Sequence, residues 1–393
     1  SCNSTTTSCL DLHNGANLIS FYALPEDASF DNVLAPLVGI ATGVIGEGVS
    51  GSYQAALGGW VGSLSAFEAT GGYWLKIDGD VGEFCIEGTA TDPGIEYELH
   101  AGANLVSFPS PSSVSVGSAL PPGMEYIVSG LIGEGVSATY NETLGGWIGS
   151  LSAFSGGSGY WMVVNEAVNF SYVFNSLNRG SVINTKERLF IPSGHILKQS
   201  TRQAFYFIED VILGDESISI GDLVLVYNDN NTFVGAREWN GYYTDIPAMG
   251  DDGSMETYGY CENGSKLRFE IKQASSGKSF RIIDSTPLWM DNGIVMVDKL
   301  MANEIPKDML IAKVYPNPFN PITEIAFEIK NNAHVQVRIY DVSGKEVSVL
   351  ENGLLSAGSH KLIWDAANYS SGVYLMSIVA DGISSTQKLM LMK

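Results

Sequence analysis

Basic residues are scarce in this 393-residue chain, which has 21 lysines and arginines against 43 aspartates and glutamates and a formal net charge of −22. The shortage is greatest in residues 1–175, which contain 17 acids and one base, Lys76. Such an acidic segment repels phosphate backbones and anionic lipid, so the sequence argues against partners of those two kinds. Binding of divalent cations or of basic proteins remains compatible with this negative charge.

Long hydrophobic runs are also lacking. A bilayer-spanning helix needs roughly 20 apolar residues, and the longest apolar runs here are about six. We therefore expect no membrane insertion. The chain begins at Ser1 without a charged, apolar leader, so we expect that a signal peptide has been removed, although a recombinant product could begin in the same way.

The four cysteines lack the C-x-x-C spacing of a zinc or redox site. In an exported protein we expect at least one disulfide. The favoured pair is Cys9 with Cys85, because they are expected on the first and last strands of the first module, where the ends of an antiparallel sheet can meet. Cys2 with Cys9 is nearly as good, and the remaining alternative is that some cysteines are free and buried.

Recognisable catalytic motifs are missing as well. None of the five histidines lies in H-E-x-x-H, and neither G-x-S-x-G nor a Walker loop occurs. A pair of convergent carboxylates is not evident either. We therefore expect a protein that is not an enzyme and that has no cofactor, except that it could bind calcium.

An internal repeat is the strongest positive feature. Residues 12–75 align with residues 99–162 at a constant offset of 87 without a gap, with 30 identities in 64 positions. The shared segments are LHNGANLISF and LHAGANLVSF, VIGEGVS and LIGEGVS, LGGWVGSLSAF and LGGWIGSLSAF, and GYWL and GYWM. They are short, rich in β-branched and aromatic residues and bounded by glycine, which predicts strands joined by tight turns. Only residues 27–37 have helical spacing, with Asp27 or Ser29 as a cap.

The fold class predicted is all-β and multidomain. Two tandem β modules are assigned to residues 1–90 and 91–176, a middle β-sandwich to 177–305 and an immunoglobulin-like sandwich to 306–393. The middle domain is read as about seven alternating strands, interrupted by a long loop at residues 245–260.

The C-terminal residues carry an ordered set of motifs. They begin with Tyr315, Pro316, Asn317, Pro318, Phe319, Asn320 and Pro321, and continue with Ile339-Tyr340-Asp341, Gly344-Lys345, Trp364-Asp365, Ser371-Gly372-Val373-Tyr374 and a terminal KLMLMK. In these motifs residues 315–393 closely resemble the immunoglobulin-like, type A sorting domain of the type IX secretion system. The resemblance implies export, contact with that secretion machinery, and a location outside the cell or on its outer surface.

Two further resemblances concern the rest of the chain. Residues 203–270 resemble a module that often precedes such sorting domains, through Gly221-Asp222, Val234-Gly235-Ala236, Trp239 and Met249-Gly250. The two repeats resemble GYW-type β repeats of uncharacterised secreted bacterial surface proteins. Neither resemblance implies a known activity.

Candidate ligand or interface residues come from positions shared by the two repeats. Glu47 and Glu134 occupy equivalent G-E-G turns, one acid per module, which favours a turn or strand-edge role over recognition and over catalysis. Trp60 and Trp147, Tyr73 and Tyr160, and Trp74 and Trp161 could stack on sugar rings, but burial in a core or interface is the better interpretation. In each Tyr-Trp pair neighbouring side chains point to opposite faces of the strand, so one should face the core and the other solvent or another subunit.

A calcium site is a further hypothesis. Asp222, Asp229, Asp251 and Asp252, with Glu256, could supply oxygen ligands from neighbouring turns of the middle domain. The spacing does not match a D-x-[DN]-x-[DN]-G loop, so a solvated acidic loop is the default.

The predicted function is that of a non-enzymatic extracellular structural protein, either a self-assembling subunit of a filament, sheath or surface layer, or an adhesin. Tandem β modules offer edge strands and apolar faces for contacts between copies. The alternative is a glycan- or matrix-binding protein that uses its two repeats bivalently.

Overall fold

The computed structural model describes residues 5–79, 81–174, 190–305, 313–329, 332–380 and 383–393. Nearly every element in these ranges is a β-strand, so the all-β prediction is confirmed.

The chain forms two compact units, Ser1–Glu304 and Ile305–Lys393. The two repeats and the middle domain share the first unit. The predicted boundary at residue 176 lies outside the described residues, as does Cys2. Within the same ranges, no helix has the length and apolar character that crossing a bilayer requires.

The first repeat is built on a five-stranded antiparallel sheet. The strands of the repeat are β1 (Thr5–Leu12), β2 (Gly15–Ile19), β3 (Ala23–Leu24), β4 (Ala41–Ile45), β5 (Ser50–Gln54), β6 (Gly59–Gly62), β7 (Tyr73–Ile77) and β8 (Gly82–Ala90). The main sheet has the order β2-β7-β4-β5-β6, and a second sheet has the order β1-β8-β3. The short helix predicted in residues 27–37 is confirmed as α1 (Phe30–Val33), followed by a 3-10 turn at Ala35–Leu37.

The predicted disulfide is confirmed. Strands β1 and β8 pair in a register that places Cys9 opposite Cys85, and the two cysteines are bonded. The bond joins the first and last strands of the first repeat, as their sequence positions suggested. Cys261 is free and completely buried.

The second repeat reproduces the main sheet of the first. Its elements are β9 (Tyr97–Leu99), β10 (Gly102–Val106), β11 (Val114–Ser115), α2 (Val116–Ala119), α3 (Met124–Ile127), β12 (Val128–Ile132), β13 (Ser137–Asn141), β14 (Gly146–Ile148), β15 (Ala153–Phe154), β16 (Tyr160–Val164) and β17 (Val168–Phe170). The sheet order β10-β16-β12-β13-β14 corresponds strand for strand to that of repeat 1. The repeats differ in the segment before β12, where helices α2 and α3 stand in place of the single short helix.

The middle domain encloses its own core between two sheets. Its strands are β18 (Gln203–Ile208), β19 (Val211–Leu213), β20 (Glu216–Ser217), β21 (Leu223–Asn228), β22 (Phe233–Glu238), β23 (Thr244–Met249), β24 (Leu267–Lys272), β25 (Ser279–Ile282), β26 (Ile294–Val297) and β27 (Leu300–Ile305). The sheet orders are β23-β18-β26 and β20-β19-β27-β25-β24-β21-β22. Tyr206, Trp239, Phe269 and Trp289 are among the residues buried in that core.

The predicted loop at residues 245–260 is wrong in its first part. Residues 245–249 belong to β23, whose six residues are all buried. Pro247 in this segment argues against a central strand, but β23 lies at the edge of its sheet, where a residue without an N–H is tolerated. This strand carries a residue of the candidate site.

The C-terminal unit is a seven-stranded sandwich. Its strands are β28 (Lys313–Tyr315), β29 (Ile322–Ile329), β30 (Ala333–Asp341), β31 (Glu346–Leu355), β32 (Gly358–Asp365), β33 (Gly372–Ala380) and β34 (Ile383–Leu391), in sheets β28-β29-β32 and β31-β30-β33-β34. Trp364 and Tyr374 are core residues. From the proline-rich entry segment, Phe319 is buried beside Trp364, with ring centroids 5.2 Å apart, and the Asn317 side chain donates to the Lys388 carbonyl (2.9 Å).

Candidate functional site at the interfaces of the repeats

Glu134, from the G-E-G turn of repeat 2, reaches into repeat 1. One carboxylate oxygen accepts a hydrogen bond from the backbone N–H of Leu18 (2.8 Å), and the other lies 2.6 Å from Nε2 of His13. The Glu134 side chain is only 14% exposed and Leu18 is buried. The carboxylate therefore satisfies a backbone donor that water cannot readily reach.

Glu47 makes the same contacts in the opposite direction. Its carboxylate accepts the backbone N–H of Leu105 (2.9 Å) and pairs with Nε2 of His100. This copy is closer to solvent, with the Glu47 side chain 38% exposed and that of His100 62% exposed. Each repeat thus gives a glutamate to the other and receives one, and we call the two contacts together the reciprocal clamp.

The histidines of the reciprocal clamp are oriented by their own turns. Nδ1 of His13 lies 2.7 Å from the Asn14 carbonyl, and Nδ1 of His100 lies 2.8 Å from the Ala101 carbonyl. When the ring is protonated, both nitrogens donate, one to this carbonyl and one to the glutamate. The Ala101 carbonyl and the Glu47 carboxylate accordingly raise the pKa of His100.

Backbone contacts between the repeats follow the same reciprocity. Ile19 forms an isolated bridge with Ser158, and Val106 forms the equivalent bridge with Gly71. Both pairs are related by the offset of 87 residues. The two repeats are therefore related by a pseudo-twofold axis, and their interface is isologous in the sense used for symmetric dimers.

The glycine of each G-Y-W motif is required by this close approach. A Cβ at Gly72 would lie 2.7 Å from the carbonyl oxygen of Val106, and a Cβ at Gly159 would lie 2.6 Å from that of Ile19. Any side chain there would separate the repeats. The motif is thus explained by contact between repeats.

The Tyr-Trp pairs divide between two environments. Tyr73 and Tyr160 lie in the cores of their repeats, where burial raises the pKa of each phenol to about 12. Trp74 lies on the other side of the sheet, against Leu105 and Trp161. The tryptophans therefore help to build the contact between repeats.

Trp60 and Trp147 are half-buried. The Trp60 ring packs edge-on against Phe30 and Tyr53, at centroid distances of 5.2 and 5.7 Å, and Trp147 packs against Tyr140 at 5.8 Å. Much of each ring is used in packing within its own repeat. Glycan stacking on these residues stays a prediction.

Two equivalent clefts flank the pseudo-twofold axis, and they differ in size and charge. The cleft beside Glu47 has a volume of about 450 Å³ and is also lined by Glu68, Glu96 and Glu98. Its counterpart, lined by Glu134, Ser155 and Ser158, has a volume of about 60 Å³, and a separate cleft of about 420 Å³ is lined by Glu134 and His13. In the part of the chain that the structure describes, the one cluster with metal-ligand spacing is Cys9, Glu83 and Cys85, whose cysteines form the disulfide.

The four aspartates considered for calcium are not brought together within the described ranges. Asp222 accepts backbone N–H groups from two turns, Asp251 does the same within its loop, and Asp229 is exposed. Asp252 lies 3.1 Å from Nζ of Lys76. Burial acts to raise the pKa of Asp252, but hydrogen bonds within its loop and the Lys76 ammonium outweigh it and hold that pKa well below its usual range. Asp222 and Asp251 thus fix local loop structure, and Asp252 also joins its loop to repeat 1 through Lys76.

A carboxylate that sequence reasoning missed holds the middle domain on repeat 2. Asp245 is completely buried and accepts hydrogen bonds from the N–H and hydroxyl groups of Ser137 (3.2 and 2.9 Å) and of Ser150 (2.9 and 2.6 Å). Arg237 lies 3.4 Å from it. Burial raises the pKa of Asp245, while Arg237 and the serine donors act in the opposite direction.

Apolar packing accompanies this carboxylate. Phe205 and Phe207, on the face of β18 directed away from the middle-domain core, form a cluster with Ile132 of repeat 2. A Cβ added to Gly149 would lie 2.8 Å from the Phe207 ring, so the ring rests directly over this glycine. Ser137 and Ser150 of repeat 2 are matched by Ser50 and Ser63 of repeat 1, and this identity suggested a shared role. Nothing in the sequence linked these serines to Asp245.

Comparison with known proteins identifies the C-terminal part. Residues 313–392 match the family model described as Secretion system C-terminal sorting domain. The resemblance stated for these residues is confirmed, and the protein is secreted to the extracellular space or the outer cell surface. The match covers the last fifth of the chain. No curated protein sequence matches the chain.

Comparison of folds found several solved structures, including the following two. A "Biofilm associated protein - BSP domain" is 9% identical over 99% of this chain and 96% of that one, with a TM-score of 0.15. "The Bacillus anthracis TIE protein" is 12% identical over 98% of this chain and 65% of that one, also with a TM-score of 0.15. At this TM-score neither likeness carries an argument about this protein.

Proposed function

We propose that this secreted protein is a non-enzymatic structural or adhesive subunit that self-assembles into a filament, sheath or surface layer. The observation that carries the proposal is the reciprocal clamp. Glutamate and histidine are the repeated residues most suited to acid–base chemistry, and both are used to join the repeats. In this proposal the two repeats act together as one rigid block, whose halves are related by the pseudo-twofold axis.

The surface of this block supports contacts between copies. Leu57 and Leu144 occupy equivalent positions at the tips of the β5–β6 and β13–β14 hairpins and are 74% and 60% exposed. A single exposed leucine needs no explanation. The same apolar tip presented twice around a pseudo-twofold axis offers two equivalent points of attachment, which is what an open assembly requires.

The test is electron microscopy and light scattering of the full chain over a range of concentrations, with calcium and with a chelator. We expect ordered polymers, and we expect the double variant Leu57→Asp/Leu144→Asp to shift the equilibrium to monomers by removing the apolar tips. Thr89→Asp, on an exposed position of β8, is the matched control and should assemble normally. A wild-type protein that stays monomeric at high concentration with calcium would refute the proposal.

A further inference from the structure

Repeat 1 carries a second copy of the surface with which repeat 2 holds the middle domain. On repeat 2 that surface includes Ile132, Gly133, Gly135, Ser137, Gly149 and Ser150, each of which contacts the middle domain. The equivalent residues of repeat 1 are Ile45, Gly46, Gly48, Ser50, Gly62 and Ser63, and all six are identical. We call this second copy the repeat-1 face.

The two copies differ in what covers them. Ser137 is completely buried under the middle domain, whereas Ser50 and Ser63 are exposed. Val61, the counterpart of Ile148, is 41% exposed. Among the described residues, none from the middle domain hydrogen-bonds to either serine of the repeat-1 face.

The polar part of the repeat-1 face already has the geometry of an occupied site. The Ser50 N–H lies 3.2 Å from Oγ of Ser63, and the Ser137 N–H lies 3.3 Å from Oγ of Ser150. The serines therefore hold the same relative position with and without a carboxylate between them. Little reorganisation is needed for Ser50 and Ser63 to accept such a group, which favours binding.

The occupied copy specifies the chemistry of the missing partner. In the middle domain Phe207 and Asp245 are directly opposite each other on neighbouring strands β18 and β23. The Asp245 carboxylate is received by the serines while the Phe207 ring covers Gly149. A ligand must therefore present a carboxylate and an aromatic ring side by side on a rigid surface, as a β-sheet does.

We propose that the repeat-1 face binds a β-sheet face of a second polypeptide, in which a carboxylate and an aromatic ring lie on adjacent strands. This goes beyond self-assembly, because the chain's own matching surface is buried on repeat 2. It assigns the protein a partner domain with the surface chemistry of its own middle domain. The complex would add one domain to each block, at the position related to the middle domain by the pseudo-twofold axis.

The experiment uses the chain's own middle domain as the probe. Ser150→Glu places a second carboxylate against Asp245, and two like charges in a buried site repel each other, so this full-length variant frees the Phe207–Asp245 surface. Full-length wild-type protein, whose repeat 2 is occupied, is immobilised as the receptor. Both proteins also carry Leu57→Asp and Leu144→Asp, so that failure here is distinguishable from failure of the assembly proposal.

We expect saturable one-to-one binding, measured by interferometry. Ser63→Glu in the receptor should weaken it at least tenfold, and Thr89→Glu, which adds the same charge on another sheet, should not. Asp245→Asn added to the probe should also weaken binding, because the serines then receive a neutral group. Protection from hydrogen exchange at residues 203–208 verifies that the probe is folded, and faster exchange of the Ser137 amide, which donates to Asp245 in the wild type, verifies that the surface is released. A second probe, Gly149→Arg, opens the same surface by a steric clash with Phe207.

Two results would overturn the inference. One is the absence of binding by a folded, released probe of either kind. The other is binding that is indifferent to Ser63→Glu. An anionic polysaccharide, polygalacturonate, is tested on the same receptor; if it binds in a Ser63-dependent manner while the protein probe does not, the partner is a glycan and the proposal is wrong.

Discussion

Replacing Glu134 by alanine should loosen the contact between the repeats more than any other single change in the reciprocal clamp. The substitution removes two interactions at once, the bond from the buried Leu18 N–H and the bond with His13. A buried donor left unpaired costs about 1–3 kcal/mol, and a hydrogen bond to a charged group contributes about 1.5–3 kcal/mol. We therefore expect local stability to fall by about 3 kcal/mol, allowing for partial access of water.

Hydrogen exchange followed by mass spectrometry measures this loss locally, without requiring two-state unfolding of the whole unit. The peptide that contains Leu18 should exchange on the order of a hundredfold faster in Glu134→Ala, since about 1.4 kcal/mol corresponds to a factor of ten. Glu134→Gln keeps an oxygen for the Leu18 N–H and should cost about 1 kcal/mol. Glu47→Ala should have a smaller effect than Glu134→Ala, because Glu47 is closer to solvent and water can replace it as acceptor.

The reasoning fails if Glu134→Ala changes exchange at Leu18 by less than fivefold. It fails equally if Glu47→Ala is the more damaging of the two alanine variants. Either result would mean that the backbone bridges hold the repeats together and that the glutamates contribute little.

Three further predictions follow from the same contacts. Replacing Cys9 and Cys85 by serine should lower the free energy of unfolding of the first repeat by about 4.5 kcal/mol, the loop-closure value for a sequence separation of 76 residues. The contribution of His100 to stability should be fully present below a pH of about 6.5, its unfolded pKa, and should be lost as pH rises through the higher folded-state value. Removal of both apolar tips, Leu57 and Leu144, should leave thermal stability unchanged while it reduces assembly, because both side chains are exposed.

Each of these predictions has its own control. Reduction of the wild-type disulfide should reproduce the double serine variant in chemical denaturation, and no loss in either would contradict the estimate. His100→Gln should remove the corresponding part of the pH dependence in urea titrations, and an unchanged pH profile would show that another group is responsible. A fall in melting temperature of the doubly substituted protein would mean that the tips stabilise the fold.

Much of the fold could be predicted from the sequence because it depends on local patterns. Alternating apolar residues and glycine-bounded segments identified most strands, and the positions of Cys9 and Cys85 near the two ends of the first module placed them on its first and last strands. Strand β23 was missed for a local reason as well. Asp245 and Pro247 are typical of loops, and only the edge position of the strand and the serines of another domain make them suitable there.

The candidate site depended on contacts that no local pattern encodes. Glu134 meets a histidine 121 residues away, and Glu47 meets one 53 residues away. The sequence contained a usable signal, because His13 and Glu47 of repeat 1 recur as His100 and Glu134 of repeat 2, both at the offset of 87 residues. A structural role for Glu47 and Glu134 was predicted, but a partner in the opposite repeat could be recognised only when the two sheets were seen side by side.

The pseudo-twofold relation of the repeats has a consequence for the history of the chain. Every contact of the reciprocal clamp joins one copy to the other, so a polypeptide with a single repeat could satisfy its glutamate and histidine only by meeting an identical molecule. The present protein then corresponds to such a pair whose subunits became covalently fused. Fusion frees the halves to diverge, and here one half has acquired a permanent neighbour while the other still presents the ancestral surface to solvent.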